Sequence, residues 1–170
     1  MDTQKYEIQS LEVCKARAGV FSVSSDDLRL LKERAIASKL HRSRICCHGL
    51  NEDLVHEMII AMTKEVRIQP HRHLDKEESF HVVEGDLTVI LFDKVGCITN
   101  TIELGEYRLG KNCYYRLPKN IFHTVVVRSD IAVIHEVTNG PFIEGQSENA
   151  DFDFCFPDNS RDIRSSLKMY

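Results

Sequence analysis

The chain has 170 residues, 22 of them Lys or Arg and 26 Asp or Glu, for a formal charge of −4 and a pI near 6.1. That length suits one domain with an apolar core, and basic residues scattered among acids exclude the cationic stripe that nucleic acid binding requires. The amino terminus lacks the apolar core of a signal peptide and no apolar run approaches the ~20 residues that span a bilayer, so a cytoplasmic protein with no membrane partner is the expectation.

In chain order, residues 1–23 carry Ile8, Leu11, Val13, Val20 and Phe21 without helical spacing and read as an extended arm or edge strands. Ser24-Ser25-Asp26-Asp27 then supplies an N-cap and an acidic first turn for a helix over 24–40, with Leu28, Leu31 and Ala35 as its apolar stripe. Beyond it, short apolar runs alternate with turn signals, which predicts strands near 43–48, 54–62, 66–70, 79–84, 87–92, 97–103, 113–117, 122–128 and 131–137. Gly140-Pro141 ends this pattern, and Phe152, Phe154 and Phe156 alternate with period two as a final docking strand. The resulting plan is an arm 1–23, a domain 24–142 that includes the helix, and a tail 143–170. The six cysteines form no C-x-x-C pair and read as free thiols, with adjacent Cys46 and Cys47 on opposite faces of one strand.

The chemistry concentrates in Gln69-Pro70-His71-Arg72-His73-Leu74-Asp75-Lys76-Glu77-Glu78 and, much later, Pro118-Lys119-Asn120-Ile121-Phe122-His123. Two His at i and i+2 share one face of a strand, so His71 and His73 converge while Arg72 points away. A turn can bring Glu78 back to the same point, and a second turn at Gly85 can close the strand after it. With His123 from a distant strand, the set is three imidazoles and a carboxylate, which suits one divalent transition metal: Fe, Mn, Ni, Co or Zn.

His71-x-His73-x4-Glu78-x6-Gly85 resembles the first cupin motif, and Pro118-x-Asn120-x2-His123 resembles the second. The family usually has Gly at the place of Asn120, and Asn is itself enriched in left-handed backbone, so a tight turn there is retained. Val127, where the family often has Asn, makes the second half looser. The stretches Arg42 to His48, Val55 to Met58, Pro70 to His73, Glu78 to Gly85 and His135 to Phe142 are similar to cupin-fold metalloproteins of the WbuC type, over roughly residues 25 to 142. The resemblance implies an all-β fold: a single cupin jelly-roll barrel, or double-stranded β-helix, with one N-terminal helix. It also implies an association with bacterial surface-polysaccharide (O-antigen) clusters and, with the arm as a strand to exchange, a homodimer.

Further candidates surround this set. Period two on the strand 131–137 puts His135 with Ile131, Val133 and Val137, either as a satisfied core residue or as an acid/base group at the barrel mouth. The WbuC-like match around His48 implies that it lies in the pocket too. Arg44 shares a face with Cys46 and His48 and can present a fork to a carboxylate or phosphate, while Arg72 and Lys76 flank the ligand run and can hold an anionic small molecule, or are simply solvated. Three functions follow: a metal-dependent isomerase or epimerase that uses His135 or His48 to move a proton, an Fe(II)-dependent dioxygenase, and a non-catalytic ligand-binding cupin.

Overall fold

The computed structural model describes residues 4–17, 19–152 and 154. Its one long helix, α1, runs over Ser25–Ala37. Ser24 Oγ accepts from the Asp27 N–H at 3.3 Å while the Asp27 carboxylate accepts from the Ser24 N–H at 2.8 Å, so the cap is reciprocal. The helix stops three residues before Leu40, where Ser38 turns to extended backbone and donates its N–H to the Arg34 carbonyl.

Among the described residues twelve strands follow the alternating pattern: β1 Tyr6–Ile8, β2 Val13–Ala16, β3 Arg42–Cys46, β4 Val55–Thr63, β5 His71–His73, β6 Glu78–Glu84, β7 Asp86–Phe92, β8 Ile98–Gly105, β9 Tyr114–Leu117, β10 Phe122–Val127, β11 Ile131–Asn139 and β12 Ser147–Asn149. They form a seven-stranded sheet in the order β1-β2-β3-β4-β11-β6-β9 and a five-stranded sheet in the order β12-β5-β10-β7-β8. The main core lies between the sheets, where Met62, Phe80, Val82 and Ile134 meet Leu87, Val89, Leu104, Val125 and Val127. The outer face of the larger sheet is buried under α1, whose Leu31 and Ala35 pack with Tyr6, Cys14, Ile45, Ala61 and Val133. The outer face of the smaller sheet is covered as well, because Phe152 and Phe154 pack on Ile90, Phe92, Phe122 and Val126. Both sheets are therefore apolar on both faces, as is usual only for sheets covered on each side.

One expected strand is missing for a physical reason. The run 66–70 forms no strand: Val66 and Ile68 do pack against the core, but Pro70 lacks a donor and pairing begins at His71. The amino-terminal arm, read as an extended arm or edge strands, forms strands at the edge of the larger sheet. There β1 and β2 form an antiparallel hairpin, and β2 runs parallel to β3 with α1 as the crossover. In the tail β12 joins β5, and Phe152 and Phe154 after it belong to an apolar cover; the rest of the expected final strand, Phe156 included, lies outside the described residues.

Candidate metal centre

Strand β5 carries His71 and His73 on its inward face, and its neighbour β10 places His123 directly opposite His71. One ring nitrogen from each of His71, His73 and His123 lies within 4.8 Å of the other two. The turn that delivers His123 is fixed by Asn120, whose φ of 67° is left-handed and whose N–H donates to the His73 carbonyl at 2.7 Å. The other turn depends on Gly85: its φ is 74°, and a Cβ there would lie 2.4 Å from the Ile131 carbonyl oxygen.

Each ring is also tied from behind. Nδ1 of His71 lies 2.9 Å from the Gln69 carbonyl, Nδ1 of His123 lies 3.0 Å from the Ile121 carbonyl, and Nδ1 of His73 lies 2.9 Å from the Ser147 hydroxyl. A carbonyl only accepts, so in His71 and His123 the proton sits on Nδ1 and the Nε2 lone pair is left for an ion. Glu78 arrives from β6 in the other sheet, with one oxygen 3.1 Å from His73 Nε2 and the other 3.1 Å from His123 Nε2. Two ligand atoms each ~2.1 Å from an ion and at right angles to one another stand about 3.0 Å apart, so these separations already suit adjacent ligands of one ion. Three imidazoles and this carboxylate therefore fit a borderline divalent metal.

The electrostatics agree with that donor set. Burial, helped by the neighbouring His123, pushes His71 down to about 4, which keeps its ring neutral and able to ligate. Burial works to raise Glu78, but hydrogen bonds from His123, His73 and Tyr115 outweigh it and hold the carboxyl well below the usual range. The Tyr115 hydroxyl donates to Glu78 Oε1 at 2.6 Å, fixing the orientation of the carboxylate. For His123 burial opposes the charged form, yet the Glu78 carboxylate prevails and raises it, so an ion at Nε2 would displace the proton that Glu78 otherwise accepts there.

The site opens into a cavity of about 340 Å³ between the sheets. Phe80, Val125, Ile134 and Met62 give it apolar walls, and Glu12, Arg42, Arg44 and Glu136 are its charged groups beside the histidines and Glu78. Among the described residues the Glu136 carboxylate has no hydrogen bond or salt bridge, and burial together with the Glu78 charge raises its pKa.

Of the residues singled out from the sequence, His71, His73, Glu78 and His123 meet at one point, and Arg44 reaches the cavity. His135 does not. It lies on the outer face of β11 with Nε2 3.6 Å from Glu57 Oε1, because Ala132, Ile134 and Glu136 are the residues that turn inward. His48 sits past the end of β3 in an adjoining outer chamber, stacked on His56 with ring centroids 4.0 Å apart. Lys76 lines the same chamber, its ammonium 4.9 Å from the Phe142 ring centroid. Arg72 faces away from the cavity, since it alternates with the two histidines; it binds Glu148 through Nε at 3.0 Å and Nη2 at 2.8 Å and stacks over Phe122. Sequence reasoning missed Glu136 and Ser147. Glu136 was legible as the alternate of His135, whereas nothing near Ser147 marks it.

Two facing sheets with histidine-bearing strands β5 and β10 and a glutamate on β6 define a cupin-fold protein with a candidate metal centre. A family described as a domain of unknown function (DUF6016) matches residues 23–104. Among solved structures the chain is similar to CapF with the inhibitor 3-isopropenyl-tropolone, with a TM-score of 0.50 and 16% identity over 65% of this chain and 31% of CapF. It is also similar to a variant of Bacillus subtilis oxalate decarboxylase OxdC (0.49, 16%, 64% of this chain and 27% of that one) and to protein SO0799 from Shewanella oneidensis (0.49, 15%, 61% and 66%). The chain thus spans less than two thirds of each, and identities this low speak to the fold alone. No curated protein matches the sequence.

Proposed function

We propose that this chain is a metal-dependent cupin whose cavity takes a small polar ligand, with His71, His73, Glu78 and His123 holding one divalent ion. The carrying observation is the convergence of three imidazole nitrogens within 4.8 Å, beside a carboxylate with each oxygen 3.1 Å from one of them. Bound there, the ion would act as a Lewis acid toward a ligand oxygen. The chain's own groups do the rest. Arg42 and Arg44 hold and orient the polar end of the ligand, while Phe80, Val125 and Ile134 exclude water around it. Glu136 takes the proton-moving role first assigned to His135, because it faces the cavity without a partner.

A carboxylate base facing a polarised oxygen favours isomerisation or epimerisation beside a carbonyl, and the WbuC-like stretches support a place in surface-polysaccharide or nucleotide-sugar metabolism. Metal-loaded protein incubated with keto sugars and nucleotide sugars in D2O tests this. Deuterium incorporated next to the carbonyl by the wild type, and lost in Glu136→Gln with metal retained, supports the reading. Ligand binding with no exchange assigns a binding function, and dioxygen uptake by the iron-loaded protein assigns an oxygenase.

A further inference from the structure

The metal-centre cavity continues into an outer chamber of about 410 Å³, with Val13, Arg44, His73 and Glu136 lining both. Lys15 from β2, Arg44 from β3 and Lys76 from the β5–β6 connection bring three cations to the outer walls, and Glu136 is the one carboxylate among the lining residues. Stacked His48 and His56 add two imidazoles at the same wall.

Three like charges from three separate segments repel one another. Among the described residues none of the three forms a salt bridge. Lys15 lies 3.5 Å from the Asn51 side-chain oxygen, and Lys76 lies over the face of Phe142. Lys5, Lys32, Lys64 and Lys111 each have a carboxylate partner, whereas Lys15 and Lys76, which form no ion pair among the described residues, meet on the wall of one chamber. In a protein with a formal charge of −4, a concave cationic wall focuses potential and attracts anions that the rest of the surface repels.

We propose that this chamber binds an oxyanion group, phosphoryl or carboxylate, of the ligand whose other end reaches the metal. The substrate class is then a two-ended anionic molecule. Lys15 and Lys76 neutralise its charged end, Arg44 bridges the two chambers with its fork, and Thr138 and Ser147 offer hydroxyls between them. This rests on the metal-cupin reading above, and its test separates the two.

Calorimetric titration of inorganic phosphate and of acetate is made on metal-loaded wild type, on metal-stripped wild type and on metal-loaded Lys15→Met/Lys76→Met, with metal content measured on every sample. Methionine keeps the apolar stem of each lysine, and the two single variants guard against a folding defect in the double one. The expected result is binding by both wild-type samples, weakened at least about tenfold in the double variant and by less in each single one, with metal content unchanged. Whichever anion binds more tightly assigns the phosphoryl or the carboxylate end. Binding that disappears on metal removal and is equal in wild type and double variant makes the anion a metal ligand and overturns the chamber assignment, as does no binding at all. Failure of the metal reading is seen separately, as protein that holds no metal while its anion titration stays readable.

Discussion

Ser147 holds its hydroxyl 2.9 Å from Nδ1 of His73, and β12 sets the two residues opposite each other in register. The segment after the strand-rich region thus orients a ring at the centre of the site. Partners on the far nitrogen of a ligating imidazole typically change metal affinity by about 10- to 100-fold. Ser147→Ala is therefore expected to weaken metal binding about tenfold in a chelator competition, with an unchanged circular dichroism spectrum. Equal affinity would reduce β12 to an edge cover.

Tyr115→Phe removes the hydroxyl that donates to Glu78 and leaves the carboxylate, only 4% exposed, short of one donor. A buried acceptor that loses a partner costs about 1 to 3 kcal/mol. Urea denaturation at fixed metal excess should register that loss, whereas a change under half a kcal/mol would mean that water replaces the phenol.

The convergence of the four residues was legible because His71-x-His73-x4-Glu78 needs only strand geometry and one turn, and Asn120 and Gly85 announced the turns that deliver its members. The helix start at Ser24 was legible for the same local reason. Alternation along β11 separated His135 from Glu136 but could not say which faced inward: α1 covers one side and the core the other, so both sets carry apolar residues. Ser147 was invisible because its contact spans 74 positions and depends on strand register. Of the alternating phenylalanines read as a final docking strand, Phe152 and Phe154 do pack on a sheet face, and the rest of that segment lies outside the described residues.

That cover carries stability. Phe152 packs on Phe92 and Phe122 with ring centroids 5.3 and 5.6 Å away and lies against Gly96. Because the ring is partly exposed, Phe152→Ala should cost less than a fully buried Phe, about 1 to 3 kcal/mol. Chemical denaturation measures it; no change would mean that the outer face of β10 and β7 stays buried without the tail.

Acid should reveal the joint between hairpin and helix. Burial acts to raise Asp27, but hydrogen bonds from Lys5 and Ser24 outweigh it and hold its carboxyl well below the usual carboxylate range. A depressed folded pKa means that the unfolded chain binds the extra proton. The stabilisation is therefore complete above the unfolded value near 3.9 and is lost as pH falls from there through the folded one. Asp27→Asn should be less stable than wild type by about 1 to 2 kcal/mol at neutral pH, and the gap should narrow below about pH 4. Thermal melts across that range check it, and a gap that widens in acid would contradict it.

The central claim is that four residues from β5, β6 and β10 hold one ion. Elemental analysis of protein purified without a metal-affinity tag, set beside His73→Ala, tests it most directly. About one equivalent of Fe, Mn, Ni, Co or Zn per wild-type chain, lost from a variant that keeps its fold, is the result expected of three imidazoles and a carboxylate. Wild-type protein without metal, or a variant that retains it in full, would contradict the account.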